Sequence, residues 1–252
     1  MTKNWGIIIQ ARTGSTRLPN KMLLPFYKEN NLLETIVDNL IQAFDTSSII
    51  LATTQKTGDD EIEKTAKNHK VNCYRGSEDN VLSRFLEAAN AKAWTHIVRV
   101  CADNPFLLNS SLKKLIEEGL KSDADYLAFF FKDNTPSIKT HSGFFAEWVA
   151  VDALKKVENK TNLPLYLEHV TNYIYSTPEL FNIQKLRIEE EEVIRKVRLT
   201  IDNQKDFKLA QNLFKQLKTK SASITWGEIR ELLKENPAYF ATMEENIKNN
   251  QK

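Results

Sequence analysis

The sequence predicts an α/β fold with a mostly parallel central sheet and helices on both faces. Three observations predict it. Short β-branched apolar runs alternate with stretches whose apolar residues recur at helical spacing, the pattern of successive strand–helix units. The first run, residues 6–10, is apolar through its centre rather than alternating, which suits a central strand buried on both faces. It leads directly into a loop of small polar residues and cations, placed at the carboxyl end of the strand, where open α/β sheets bind ligands.

That loop reads QARTGSTRLPNK over residues 10–21. Arg12, Arg17 and Lys21 are interleaved with Thr13, Gly14, Ser15 and Thr16, whose amides and hydroxyls donate hydrogen bonds at close quarters. Small residues let main-chain N–H groups converge on an anion, and planar guanidinium groups grip phosphate oxygens in pairs. The combination points to a polyphosphate. It is neither a Walker loop, since Lys21 stands between Asn20 and Met22, nor a GxGxxG dinucleotide fingerprint.

The 252 residues are enough for one large α/β domain with a full core, and no repeat, linker or low-complexity block marks a second. With 35 basic and 33 acidic residues the formal net charge is +2, so no nucleic-acid polymer is expected as a partner. Cys73 and Cys101 both lie in apolar strand-like runs, which argues against a disulfide framework or zinc site and makes the reducing cytoplasm the default location. The amino terminus lacks a signal-like apolar stretch. No run approaches the roughly 20 apolar residues of a membrane helix, so no membrane partner is expected.

After the loop, Leu33, Ile36, Val37, Leu40, Ile41 and Phe44 form the stripe of a first helix. Residues 48–53 read as a second strand, 59–69 as a polar helix with acidic residues at its start, and 71–74 as a third strand. This alternation brings Arg12, Arg75 and Asp103 toward one sheet edge. The turn 75–80 precedes a helix carrying Val81, Leu82, Phe85, Leu86 and Ala89; Ser77 and Asn80 can cap that helix as well as touch a ligand. Residues 96–101 form another strand, followed by Ala102-Asp103-Asn104-Pro105, and residues 197–201 read as a second strand of this design, ending in Asp202. Two carboxylates at neighbouring strand ends could share one Mg²⁺, which takes one or two carboxylates and fills its octahedron with phosphate oxygens and water.

Residues 132–185 are the least regular region. Within them, 133–142 read as a strap near the substrate, 147–151 as a strand, 152–157 as a short helix and 168–175 as a longer one. Residues 203–252 are helical, with a Thr225 cap, and the last residues from about 248 are expected to fray.

The run QARTGSTRLPNKML resembles the N-terminal signature of the CMP-sugar synthetases, or cytidylyltransferases, especially the spore-coat polysaccharide biosynthesis protein F type. Further matches follow in order: RGSEDNVLSRF at 75–85, RVCADNPF at 99–106, EHVTNYIY at 168–175 and RLTIDNQKDF at 198–207. Asn20 departs from the usual glycine, a modest change because asparagine tolerates left-handed backbone. The resemblance implies a Rossmann-like nucleotidyltransferase fold of the GT-A-like kind and transfer of CMP from CTP to an acidic sugar. Its implied cofactor is Mg²⁺ on Asp103 and Asp202.

The candidate nucleotide contacts are Gln10, Ala11, Arg12, Thr13, Gly14, Ser15, Arg17, Lys21, Ser77, Asn80 and Ala102, with Arg12, Arg17, Lys21, Asp103 and Asp202 as the catalytic set. Glu147, Glu168 and His169 are the candidate sugar contacts, in a region that in such synthetases also packs across a homodimer. Two other functions stay open: a glycosyltransferase using a nucleotide-diphosphate sugar, and a non-catalytic relative in polysaccharide assembly. No DxD triplet sits at Asp103, and the cations and carboxylates form a complete set.

Overall fold

A computed structural model describes residues 3–221 and 223–249. Its organising element is β1 (Trp5–Gln10), whose Ile7, Ile8 and Ile9 are fully buried. Side chains alternate across a strand, so Ile7 and Ile9 enter one core and Ile8 the other. Beyond a small antiparallel hairpin of β2 (Pro25–Tyr27) and β3 (Asn30–Asn31), the chain adds β4 (Ile49–Thr54), β5 (Asn72–Gly76), β6 (His96–Cys101), β7 (Tyr126–Phe130), β8 (Glu147–Ala150) and β9 (Ile183–Arg187). The main sheet has seven strands in the order β5-β4-β1-β6-β8-β7-β9. All run parallel except β8, which opposes both β6 and β7. The first residue of β8 therefore lies at the edge where β1, β4, β5 and β6 end.

Helices cover both faces, as the apolar patterning requires. On the Ile7 and Ile9 side pack α1 (Leu32–Ile41), α2 (Asp60–Asn68), α4 (Asn109–Lys121), α9 (Gln204–Lys220), α10 (Trp226–Glu235) and α11 (Pro237–Asn249). On the Ile8 side pack α3 (Val81–Ala91), α5 (Val151–Lys160) and α7 (Asn172–Ser176). Two short helices, α6 (Pro164–Glu168) and α8 (Glu191–Ile194), complete the set among the described residues. Thr225 caps α10 as expected, in a reciprocal box with Glu228. Helix α11 continues to Asn249, and residues 250–252, expected to fray, lie outside the described residues.

Three expectations are corrected. Residues 197–201 are not a strand: they run as a buried extended segment outside the sheet, with the Leu199 and Thr200 amides both donating to His141 O and the Ile201 amide to Asp103 O at 2.9 Å. An apolar β-branched run signals burial as much as pairing, and here another loop and the end of β6 supply the backbone partners. Residues 168–175 are not one helix but the end of α6, a break at residues 169–171, and α7. Third, α4 and β7 stand where no element was assigned; β7, YLAFF, is a continuous apolar run too short for its period to be read.

Gly6 lies where β1 meets the loop before β6: a Cβ there would fall 2.0 Å from a Trp94 ring carbon. Gly6→Ala should therefore displace the indole and lower stability by about 1–3 kcal/mol, the usual range for overpacking, measured as a fall in the urea midpoint.

Candidate active site

The loop leaving β1 is held by a buried carboxylate. Asp59, 1% exposed, accepts from the Thr13 amide and hydroxyl at 2.8 and 2.6 Å, and from the hydroxyls of Thr53 and Thr54 at 2.8 and 2.5 Å. Burial alone would raise its pKa, but the bonds from Thr13, Thr54 and Thr53 outweigh burial and hold the carboxyl down at about 2. The loop then closes through the Asn20 amide on Thr13 O at 3.2 Å. Asn20 itself is left-handed, φ 54°, the conformation that suits asparagine or glycine at this position.

The loop faces a cavity of about 640 Å³. Gln10, Arg12, Gly14, Ser15, Arg17, Lys21, Ala102, Asp103, Glu168, His169 and Asp202 all line it, so the structure brings together most of the residues expected from sequence. Each expected phosphate cation is paired across the space with a carboxylate. Arg12 Nη2 lies 3.0 Å from Glu168 Oε1, Arg17 Nη2 2.8 Å from Asp202 Oδ1, and Lys21 Nζ 3.5 Å from Asp103 Oδ2. Lys21 also donates to Ile201 O at 2.7 Å.

Asp202 is held from behind. Arg198, fully buried, donates to Asp202 Oδ2 at 3.0 Å and to both oxygens of Asp206 at 2.8 and 2.7 Å. The Asp202 amide donates to Asp206 Oδ2 at 3.1 Å. Asp206 in turn shares a reciprocal cap with Asn203 at the start of α9, so the position of Asp202 is set by a helix terminus rather than by a strand end.

Glu147 does not reach the cavity, contrary to its expected place among sugar contacts. It is 1% exposed, and its oxygens accept from Arg99 Nη1, the Tyr126 hydroxyl and Thr171 Oγ1. Arg99 itself lines the cavity and donates to Gln10 Oε1 at 3.2 Å. Glu147 thus ties two walls to the sheet: the end of β1 through Arg99, and the break between α6 and α7 through Thr171. The antiparallel β8 is what places its carboxylate at this edge.

A second cavity of about 470 Å³ adjoins the first across Arg12 and Gly14 and is bounded by residues 54–59 and Glu78. Thr13 lines it with Asp59. Ser77 and Asn80 line neither space: the Asn80 side chain caps α3 by accepting from the Ser83 amide at 2.9 Å, and Ser77 Oγ accepts from the Asn80 amide at 3.0 Å. Ala11 is buried in the core. Arg75 turns away from the edge, donating to Asp60 and Glu63 at 2.7 Å each. The sequence reading missed Arg99, Cys101, Asn172, Tyr175 and Thr200 in the lining. Most stand within the runs 99–106 and 168–175, but their letters alone do not tell an inward residue from an outward one. The strap placed by sequence at 133–142 does border the site through residues 137–140 and Ser142.

Comparison with known proteins bears on this geometry. The family model described as cytidylyltransferase matches residues 6–248. The spore coat polysaccharide biosynthesis protein SpsF of Bacillus subtilis is 33% identical over 235 residues, covering 91% of this chain and 94% of that protein. The solved structure of a cytidylyltransferase from Leptospira borgpetersenii serovar Hardjo-bovis superposes with a TM-score of 0.83 at 28% identity, over 94% of this chain and 97% of the other. A CMP:2-keto-3-deoxy-manno-octonic acid synthetase complexed with CTP matches with a TM-score of 0.65 over 84% of this chain and 99% of that one; at 13% identity this is a likeness of fold.

The Asp59 anchor has a pH signature. Its folded pKa, about 2, is below its ordinary 3.8, so its contribution to stability is complete above about pH 4 and is lost as the pH falls through 2. Urea unfolding of wild type and Asp59→Asn should differ by about 2 kcal/mol more at pH 5 than at pH 2. An equal difference at both pH values would refute the anchor.

Proposed function

The chain belongs to the cytidylyltransferase family and is a nucleotidyltransferase, and on that premise we propose that it transfers CMP from CTP to the hydroxyl of an acidic sugar, releasing pyrophosphate, for a surface polysaccharide or glycan. One observation carries this reading: three cations from the first loop share a single cavity with the carboxylates expected to hold a metal and face an acceptor. Among the rival functions, glycosyl transfer would release a nucleoside diphosphate, and three cations in the first loop fit a departing pyrophosphate better.

In this reading the triphosphate lies along Arg12, Arg17 and Lys21, with the Gly14 amide as a further donor. The nucleoside enters the second cavity between residues 54–59 and the turn at Glu78. The acceptor takes the wider side of the main cavity, beside His169, Asn172 and Tyr175. The residues fit a divalent cation of the magnesium kind. Asp103 and Asp202 offer hard oxygen donors in the same cavity, and no cluster of three or more acidic, histidine or cysteine side chains suited to a metal occurs among the described residues. Two carboxylates and no protein cage suit an ion that binds with nucleotide phosphates. Such an ion, when bound, supplies Lewis-acid polarisation of the phosphoryl oxygens.

The rest is done by the chain's own groups. Nucleotide entry exchanges partners: Arg12, Arg17 and Lys21 leave Glu168, Asp202 and Asp103 for phosphate oxygens. The acceptor oxygen attacks the α-phosphorus in line and forms the new P–O bond as the bond to the bridging oxygen breaks. The hydroxyl proton passes to solvent, and the charge growing on pyrophosphate is met by the same three cations. Glu168, released from Arg12, then faces the acceptor. The enzyme works as a homodimer in the cytoplasm, the dimer supported by the exposed apolar Leu163 and Leu165 at the start of α6; no helix among the described residues is long and apolar enough to cross a membrane.

Thermal unfolding with Mg²⁺ and each nucleoside triphosphate tests the proposal. CTP at about a hundred times its dissociation constant adds roughly 2.7 kcal/mol, raising the midpoint by about 5–10 °C, and Asp103→Asn should lose most of the rise. Stabilisation by nucleotide-diphosphate sugars and not by CTP would move the function to glycosyl transfer. With an acceptor found by pyrophosphate release from a panel of sugar acids, Asp103→Asn or Asp202→Asn should slow turnover on the order of 100-fold or more. Wild-type turnover in either variant would refute the assigned roles.

A further inference from the structure

Three arginines among the described residues are buried: Arg84, Arg99 and Arg198. Arg99 pairs with Glu147, and Arg198 with Asp202 and Asp206. Arg84 has no carboxylate partner among the described residues. It is 0% exposed, its Nη1 donates to Ser77 O at 2.7 Å, and its buried Nε and Nη2 have no hydrogen-bond partner. Its stem lies against Gly76, where a Cβ would come within 3.1 Å of Arg84 Cγ. A guanidinium buried without a counter-charge is costly to a fold, since neither water nor a carboxylate offsets its lost hydration. Hydrophobic residues of similar volume commonly replace such charges without loss of stability.

Its place explains its presence. Arg84 stands on α3 beneath the turn 75–80, and the charges acting on it, Arg12, Asp59 and Glu78, all line the second cavity. Burial first, and then Arg12, push its pKa down to about 10, which leaves it charged at neutral pH. Ser77, whose carbonyl it holds, belongs to the same turn.

We propose that Arg84 is a buried electrostatic determinant of nucleotide binding: its charge, in contact with no carboxylate, adds to that of Arg12 where the two cavities meet and draws in the phosphate anion, at the expense of the stability of the free protein. This rests on the placement of the nucleotide given above. Arg84 touches no substrate in this arrangement; it acts through the field it adds to that of Arg12 and through the Ser77 carbonyl.

Calorimetric titration with CTP and with CMP, each with Mg²⁺, on wild type, Arg84→Met and Arg84→Lys separates the possibilities, together with the urea midpoint of each protein. Arg84→Met should bind CTP about tenfold more weakly, should lose less for CMP because fewer phosphate charges feel the field, and should unfold at or above the wild-type midpoint. Arg84→Lys, which keeps the charge and loses the planar fork, should bind CTP within about threefold of wild type. Equal losses for CTP and CMP in Arg84→Met would make the residue a shaper of the pocket and overturn the proposal, as would unchanged CTP affinity; a lowered midpoint would overturn its stability half. Should Arg84→Met not fold, the stability half of the proposal fails, and Arg84→Gln carries the affinity comparison. Wild type that binds neither nucleotide overturns the function reading instead.

Discussion

The pairing of three cations with three carboxylates across one cavity is the constraint on which the rest of the structure depends. Arg12, Arg17 and Lys21 come from a single short loop, and like charges crowded at a sheet edge repel unless something opposes them. Glu168, Asp202 and Asp103 supply that opposition from three separate parts of the chain: the α6 terminus, the segment before α9, and the turn after β6. The free protein is its own counter-ion. Under the proposed function, a metal–nucleotide complex brings both signs of charge at once: its phosphates would take Arg12, Arg17 and Lys21, its metal Asp103 and Asp202, and Glu168 would be left facing the acceptor. A lone metal ion would have to displace Arg17 and Lys21 while leaving them unpaired, and a metal-free nucleotide would set its phosphates beside Asp103 and Asp202.

Such an exchange works only if the exchanging side chains hang from fixed backbone, and each half of the cavity has a buried polar network for that purpose. Asp59 ties the first loop to the end of β4. Arg198 and Asp206 fix Asp202 against α9. Glu147 fixes Arg99 and, through Thr171, the break between α6 and α7. In each network a buried carboxylate accepts several hydrogen bonds, which offsets its desolvation and resists small displacements. The flexible side chains face the cavity, and the rigid ones stand behind them.

This division also decides what could be read from the sequence. The first strand and its loop were legible because burial on both faces, small residues and clustered cations each leave a mark in the letters themselves. So was the left-handed Asn20. The buried segment at 197–201 was misread because β-branched apolar residues report burial, and burial does not require a sheet. Glu147 was misplaced for a related reason: a glutamate opening a strand looks like a site residue until β8 proves to run against its neighbours and turns the carboxylate inward. Ser77 and Asn80 lie in a turn whose capping chemistry and ligand chemistry use the same residue types, and the structure shows the capping. Arg99 was missed because a charged residue in an apolar stretch announces a need for a partner without saying where that partner is.

The sheet floor and the loops therefore carry different duties. Beneath the acceptor side, Glu147 Oε1 accepts from both the Tyr126 and Thr171 hydroxyls, so losing Glu147 would leave two buried hydroxyls unpaired. Residues 137–140 and His169 stand on connecting segments and Asn172 at the start of α7, where a substitution alters the lining without opening the core. Under the proposed function, the choice of sugar belongs to those segments and the phosphoryl chemistry to the first loop with Asp103 and Asp202. A chain built this way can change its acceptor by altering loops while the charge exchange that drives nucleotide binding stays as it is. The nucleotide end then remains the more legible half of the site, because its cations must come in a fixed spacing on one loop, whereas the acceptor end is assembled from distant pieces that only the fold brings together.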